Sequence, residues 1–174
     1  LTLPTVGGSS SLAGSSALVI DTTAPTISGV TSSTADGTYK VGDSISISVA
    51  FSESVDVVTT SGAPTLELET GSTNRTATYS SGSGSSSLVF TYTVQAGDTA
   101  SDLDYASISA LSLNSGTIKD SAGNDATLTL PTVGGSSSLA GNSALIIDDG
   151  VVPTISGVTS STADGTYKVG DSIS

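Results

Sequence analysis

Apolar and polar residues alternate one by one along much of this chain, which is the pattern of half-buried β-strands. The clearest stretch is Ser44–Phe51, where Ile, Val and Phe side chains would face one side and serines the other. Similar short stretches predict further strands at Thr26–Ser32, Thr65–Glu69, Thr76–Tyr79, Leu88–Val94, Ile108–Leu113, Ala126–Val133 and Ala144–Ile147. Segments rich in Gly, Ser or Asp predict the breaks between them, at 35–38, 80–87 and 134–141.

Seven or eight short strands with frequent turns predict an all-β domain, folded as a two-sheet β-sandwich with Greek-key connections. The composition agrees with this class, because Ser and Thr make up more than a third of the 174 residues and strong helix formers are scarce. Apolar residues reach 36%, which is enough for a thin sandwich core. We expect essentially no α-helix.

The chain repeats itself over a long period. Residues 1–21 recur at 128–148 with two differences, Ser15/Asn142 and Val19/Ile146, and residues 25–46 recur unchanged at 153–174. This predicts tandem duplication of a whole domain. We place the boundaries in the Asp-containing linkers at 21–24 and 148–152, each followed directly by a proline. Residues 22–148 would be a complete repeat, 1–21 the last strand or strands of the preceding repeat, and 149–174 the first strands of the following one.

Charge and missing residue types exclude several classes of function. The net charge is −12, with 16 acidic and 4 basic residues, which disfavours binding to nucleic acid or to anionic membrane surfaces. Cys and His are absent, so disulfides, thiol chemistry and the usual zinc ligands are absent as well. A nucleophilic triad lacks its histidine base, and the acids stand at turns and strand ends. We therefore predict that the chain is not an enzyme and that any cofactor is a hard cation such as calcium.

Several short motifs carry a family resemblance. They are D-T-T-A-P at 21–25, D-G-T-Y-x-x-G-D at 36–43, F-S-E at 51–53, D-L-D-Y at 102–105 and K-D-S-A-G-N-D at 119–125. Together they resemble the bacterial immunoglobulin-like repeats of giant exported adhesins. They are also similar to cadherin repeats, in which acidic residues at domain junctions bind calcium. The resemblance implies an immunoglobulin-like sandwich in tandem array, extracellular and at the cell surface. Asp104-Tyr105 resembles a tyrosine corner, with plain packing at the sandwich rim as the alternative.

The order of the strands predicts where the acids meet. The second strand would return Glu53 to the linker that holds Asp21, and the loop before the last strand would bring the next three candidate ligands to the same end: Asp120, Asn124 and Asp125. The opposite end would hold Asp102, Asp104, Asp148 and Asp149. Because the two ends meet in an array, each junction would gather calcium ligands from both domains. The alternative is that these residues form turns and solubilise the surface.

These observations predict a structural repeat of a long extracellular bacterial surface protein, acting as a stalk or spacer in adhesion and stiffened by calcium at its junctions. The alternatives are a subunit of an extracellular filament, sheath or surface layer, and a carbohydrate-binding module, which the few aromatics disfavour. The expected partners are neighbouring identical repeats in the same or adjacent chains, without membrane insertion. We expect the chain ends to be cuts in a continuous polymer, completed by further repeats or by strand exchange, in which residues 1–21 of one chain complete the sandwich of another.

Overall fold

The structure is a computed structural model that describes residues 2–16, 19–151 and 154–174. The described residues form eleven strands and two helices of four residues each. In chain order the elements are α1 (Leu12–Ser15), β1 (Ile27–Ser32), β2 (Gly37–Tyr39), β3 (Ser44–Val58), β4 (Thr65–Glu69), β5 (Arg75–Ser81), β6 (Ser85–Thr93), β7 (Thr99–Ala100), β8 (Asp104–Tyr105), β9 (Leu111–Ser112), β10 (Thr117–Lys119), α2 (Leu139–Asn142) and β11 (Leu145–Asp148).

The larger sheet is antiparallel and is built around the long strand β3. Its strands lie in the order β1, β3, β6, β5, β4 and β8, while β10 pairs with the end of β3 and β9 pairs with β4. Register irregularities between Ala50 and Val55 and between Tyr79 and Ser81 interrupt the ladders. Such interruptions bend strands and increase their twist, which lets one sheet curl around a core.

The smaller sheet closes the sandwich. Strand β11 lies in its centre, parallel to β2 on one side and antiparallel to β7 on the other. Two sheets with a shared apolar interior make an all-β, immunoglobulin-like sandwich, as the strand pattern predicted. The described part of the chain contains no helix long and apolar enough to span a membrane.

The core consists of the inward-facing side chains of strands in which apolar and polar residues alternate. In β3 the inward side chains Ile45, Ile47, Val49 and Phe51 are at most 4% exposed, while the intervening residues face outward. Buried apolar side chains from β6, β4, β8 and β11 complete the same cluster. Each such side chain contributes about 1.5–3 kcal/mol through removal of apolar area from water. The buried residues of this hydrophobic core all lie between Val30 and Ile147.

The glycine-rich segment at 134–141, which the sequence predicts as a break, leads into the capped helix α2 before β11. Ser138 caps α2 by accepting a hydrogen bond from the Gly141 N–H at 3.1 Å. A Cβ atom on Gly141 would lie 2.0 Å from the carbonyl oxygen of Gly135, so a side chain at 141 would collide with backbone. The segment therefore folds back tightly on itself and places Leu139 in the core, where it is fully buried.

Three predicted elements differ from the observed ones. The expected strand Ala126–Val133 is not formed, because its residues make only an isolated parallel bridge, between Thr127 and Thr26. The expected strand Ile108–Leu113 is reduced to Leu111–Ser112, because Ile108 is half exposed and the Ser107–Ala110 segment forms a turn closed by the Ala110 N–H. The expected turn at 35–38 instead runs into β2, because its backbone pairs with β11. Local turn chemistry favoured by Asp36-Gly37 is overridden there by pairing with a distant strand.

Candidate functional site

Three acids converge at the end of the domain where the chain enters from residue 21. The carboxylates of Asp21, Glu53 and Asp120 each place an oxygen within 4.8 Å of the others. Asp21 belongs to the linker before β1, Glu53 lies in β3, and Asp120 follows β10. Strand β3 brings Glu53 to the cluster because the strand extends beyond Phe51 to Val58. Among the described residues this is the only group of three or more acids so arranged.

The loop after β10 holds this cluster together. Asp120 Oδ1 accepts hydrogen bonds from the backbone N–H groups of Ala122 and Asn124, at 2.9 and 2.8 Å. Asn124 Nδ2 donates to Asp120 Oδ2 at 2.7 Å and to the carbonyl oxygens of Asp21 and Thr23, at 3.3 and 3.4 Å. The asparagine therefore ties the entering linker to the loop through its amide nitrogen. In this arrangement its amide nitrogen braces the Asp120 carboxylate and the backbone of the entering linker.

Asp120 and Glu53 differ in the direction in which their surroundings shift the pKa. Burial acts to raise the pKa of Asp120, but the hydrogen bonds from Asn124, Gly123 and Ala122 outweigh it and lower that pKa. The pKa of Glu53 is raised by burial and by the negative charges of Asp21 and Asp120 beside it. The charge of Glu53 is thus less compensated than that of Asp120. A cation held by the three carboxylates would remove that repulsion.

The fourth predicted acid of this end is engaged elsewhere. Asp125 Oδ1 forms an ion pair with Lys119 Nζ at 2.7 Å, across an isolated bridge between the same two residues. Both side chains are exposed, so the pair contributes little to stability. The structure therefore brings Asp21, Glu53, Asp120 and Asn124 together and leaves Asp125 outside the group of converging carboxylates.

The acids predicted for the opposite end are not gathered within the described residues. Asp102 is exposed, and Asp148 follows β11's buried residues with its Oδ1 accepting from the Gly150 N–H. Asp149 uses Oδ1 for the Val151 N–H at 3.0 Å and Oδ2 for the Gly97 N–H at 3.2 Å. These contacts are turn and linker contacts within one domain.

Asp104 has an internal role that the sequence interpretation did not anticipate. It is 6% exposed, and its carboxylate accepts hydrogen bonds from the backbone N–H groups of Tyr105 and Leu139 on Oδ1 and of Gly134 on Oδ2. Backbone donors satisfy a buried carboxylate without a cation. Asp104 therefore anchors the glycine-rich segment to β8, and its oxygens point into the domain and not toward a junction.

Tyr105, the residue after Asp104, also binds the final segment of the domain. Its ring is fully buried, and its hydroxyl donates to the carbonyl oxygen of Pro131 at 2.6 Å. Burial, with the Asp104 charge nearby, raises the pKa of Tyr105 to about 12. In a tyrosine corner the hydroxyl binds backbone a few residues upstream, whereas here the partner lies 26 residues downstream. Tyr105 thus fastens the final segment of the domain to β8.

The structure also contains a buried ionic network that the sequence did not predict. Asp98 is 1% exposed and accepts hydrogen bonds from Arg75 Nε at 2.7 Å, from the Tyr92 hydroxyl at 2.6 Å and from the Gln95 N–H at 2.8 Å. Burial raises the pKa of Asp98, but these hydrogen bonds and the Arg75 charge lower it by more. Burial and the neighbouring Asp98 raise the pKa of Tyr92. The one available signal was that Arg75 is the single arginine of the chain.

The chain enters and leaves the domain at opposite ends. Asp21 lies beside Glu53 near one end of β3. Asp149 contacts Gly97, which follows β6 just past Thr93, the residue paired with Ser44 at the other end of β3. Nine residues of strand separate Ser44 from Glu53, or about 30 Å at ordinary strand rise. The two linkers are therefore about one domain length apart.

Comparison with known families identifies the domain. The bacterial Ig-like domain family matches residues 21–133, well over half of the chain. This chain belongs to the bacterial Ig-like domain family. The family is one of structural domains and not of enzymes, and its members typically occur in surface or exported bacterial proteins. Comparison with curated proteins and with solved structures finds no match.

Proposed function

We propose that this bacterial Ig-like domain is a spacer repeat in a long extracellular surface protein, where it acts as a stalk in adhesion. The observation that carries the proposal is the placement of the two linkers at opposite ends of β3. Domains joined through opposite ends add their full length to an array, whereas domains with adjacent linkers fold back on one another. Each repeat would then extend the stalk by about 30–45 Å, if strands of ordinary length run along the axis.

The division into repeats supports this proposal. Residues 22–148 would be one repeat, because the buried apolar side chains of the described residues fall within this range. Residues 1–21 would belong to the preceding repeat and 149–174 to the following one. Val158 is 90% exposed and Ile173 is 65% exposed, while their repeat equivalents Val30 and Ile45 are at most 1% exposed. Such side chains are explained by a core that further copies of the repeat provide.

Calcium is proposed to stiffen the junction. Calcium takes six to eight oxygen ligands from carboxylates, carbonyls and water, and Asp21, Glu53 and Asp120 supply three carboxylates within reach of one ion. Their donor type fits calcium, and the remaining ligands would come from water and from the preceding repeat. Because Asp21 lies in the linker and the other two lie in the domain body, a shared ion would fix the linker against the domain.

The proposal is tested by small-angle X-ray scattering on a protein with two complete repeats joined by the natural linker at 148–152. With calcium, we expect an extended particle about one domain length longer than a single repeat. With chelator, the same protein should show a broader distribution of interdomain distances. Compact side-by-side packing of the repeats would reject the spacer function. A profile unchanged by calcium would reject the stiffening and leave the spacer function standing.

A further inference from the structure

The linker that leaves the domain lies against the turn at 95–98. Asp149 Oδ2 accepts a hydrogen bond from the Gly97 N–H at 3.2 Å, and Asp149 Oδ1 accepts one from the Val151 N–H at 3.0 Å. Asp149 is half-buried, whereas its neighbours in the chain on both sides are exposed. One carboxylate therefore joins the linker to the turn and also fixes the local fold of the linker itself.

The buried network around Asp98 holds the turn that presents this N–H group. The Asp98 carboxylate accepts hydrogen bonds from Arg75 Nε at 2.7 Å and from the Gln95 N–H at 2.8 Å. A second nitrogen of Arg75, Nη2, reaches the Ala96 carbonyl oxygen at 3.5 Å. The Asp98 N–H donates to the Gln95 carbonyl oxygen at 3.2 Å and closes the turn. The residues on both sides of Gly97 are therefore fixed from within the domain.

Gly97 itself keeps the outer side of the turn open. Its φ is +87°, a left-handed conformation that favours glycine. A Cβ atom at this position would meet nothing within 4 Å, so space is available over the turn. The turn thus presents a backbone donor, in a fixed direction, to a chain segment at the leaving end of the domain.

The chain contains two linkers that can be compared residue by residue. D-T-T-A at 21–24 and D-D-G-V-V at 148–152 both begin with aspartate and are both followed by proline. In each linker Oδ1 of the first aspartate accepts a hydrogen bond from the N–H two residues later, at 2.9 Å for Asp21 and 3.0 Å for Asp148. The two linkers therefore begin in the same way and differ from their second residue onward.

Thr22 stands where the second linker has Asp149, and it lacks the chemistry of the contact. Asp149 uses two carboxylate oxygens at once, whereas threonine has a single oxygen on a shorter side chain. A charged acceptor also forms the stronger hydrogen bond. The third residue differs as well, because Gly150 has a φ of +73°, which the β-branched Thr23 disfavours. The D-T-T-A linker therefore does not reproduce the contact with the turn.

The entering end of a repeat does not distinguish between the two linkers. Asn124 Nδ2 donates to the carbonyl oxygens of Asp21 and Thr23, at 3.3 and 3.4 Å. Backbone carbonyls are present in a linker of any sequence. A difference between the two junctions must therefore arise at the repeat that precedes the linker.

We propose that the turn at 95–98 is a docking surface for the linker that leaves each repeat, and that it selects linkers with aspartate at their second position. A D-D-G-V-V junction is then fixed in direction against the preceding repeat, whereas a D-T-T-A junction acts there as a hinge. The linker sequence would thus place stiff and hinged junctions along the stalk. The inference rests on the proposed spacer function, because it concerns how consecutive repeats are joined, and it does not depend on calcium.

The docking itself is tested in the full 174-residue chain by hydrogen exchange of the Gly97 amide, followed by NMR. Asp149→Thr gives this linker the second residue of the other one without changing its length. The Gly97 amide should then exchange about fivefold faster, as the loss of one net hydrogen bond gives. Asp102→Thr, at an exposed position outside the contact, is the control and should leave the rate unchanged. An unchanged Gly97 rate in Asp149→Thr would overturn the docking.

The selection between linkers is tested in the protein with two complete repeats, spin-labelled at Thr78→Cys in both. Thr78 is exposed on β5. Pulsed electron spin resonance should give a narrow distance distribution with the natural linker. The distribution should be broader when T-T-A replaces residues 149–152, and also in Asp149→Thr, which keeps the linker length. Equal widths at an extended mean distance would overturn this inference alone. A compact mean distance, with the repeats side by side, would reject the spacer function and the inference with it.

Discussion

Arg75 Nε lies 2.7 Å from Asp98 Oδ1, in an ion pair whose Asp98 side chain is 1% exposed and whose Arg75 side chain is 26% exposed. The Tyr92 hydroxyl completes the network at 2.6 Å. The pair links β5 to the turn after β6, and this is the turn that the leaving linker contacts through Gly97.

Removing the Asp98 carboxylate should destabilise the domain strongly. Asp98→Ala leaves the Arg75 charge and the Tyr92 hydroxyl without their shared partner. We expect a loss of about 3 kcal/mol in the free energy of unfolding, at the lower end for a broken buried pair because Arg75 retains contact with water. Urea unfolding measures it. Asp102→Ala, at an exposed position, is the control and should change stability by less than about 0.5 kcal/mol. Equal effects of the two substitutions would refute this role.

The same pair predicts a pH dependence. The pKa of Asp98 is lowered in the folded state from its ordinary 3.8, so its ionised form stabilises the fold. That contribution is complete well above pH 3.8 and is lost as the pH falls through 3.8 toward the lower folded-state pKa. The gap in stability between wild type and Asp98→Asn should therefore narrow on acidification below about pH 4. A gap that stays constant down to pH 2 would contradict the assignment.

Much of the sandwich was predictable because period-two alternation reports directly on burial. Strand β4 has the predicted bounds, Thr65–Glu69. Strand β3 runs past its predicted end at Phe51 to Val58. Polar residues at 52–54 interrupt the apolar alternation, the buried Val55 resumes it, and residues 56–58 pair with β10. Strand β10, Thr117–Lys119, was not predicted because it has one apolar residue. Its existence depends on the end of β3, whose paired residues lie 59 to 63 positions earlier in the chain.

The acid cluster was predictable in part for the same reason. Strand direction placed Asp21, Glu53 and Asp120 at one end, and the structure gathers them there. The sequence predicts Asp104 at a junction, but Asp104 lies in the two-residue strand β8, where neighbouring backbone N–H groups decide where its carboxylate points. The Arg75–Asp98 pair joins residues 23 positions apart through a turn. The hydrophobic periodicity of a single sequence does not indicate such a contact between two polar side chains.

The two copies of the final segment offer a matched test of which one belongs to the core. Leu139→Ala should cost about 2–5 kcal/mol, because Leu139 is fully buried and its removal leaves a cavity. Leu12→Ala makes the same chemical change at the equivalent position, where the side chain is 70% exposed. It should leave the thermal midpoint of the dilute chain unchanged. A comparable loss from Leu12→Ala would mean that residues 1–21 pack into this domain.

Replacing Glu53 with glutamine should distinguish the effect of carboxylate repulsion on stability from the effect of calcium binding. The pKa of Glu53 is raised by burial and by the charges of Asp21 and Asp120, so its ionised form at neutral pH opposes folding. In chelator, Glu53→Gln should therefore raise the melting temperature slightly. Calcium should raise the melting temperature of wild type by more than that of the variant, because the variant has lost one carboxylate ligand. Glu67→Gln, on the exposed face of β4, should respond to calcium as wild type does. Identical calcium responses of wild type and Glu53→Gln would exclude this cluster as the site.

The placement of the linkers underlies the spacer function, and a single distance tests it most directly. The chain has no cysteine, so spin labels on Thr22→Cys and Val151→Cys report the separation of the entering and leaving linkers by pulsed electron spin resonance. Both positions are exposed. A domain that adds its length to an array requires a distribution centred at about 30 Å or more, set by nine residues of β3. A distribution centred below about 20 Å would put both linkers at one end and contradict the account.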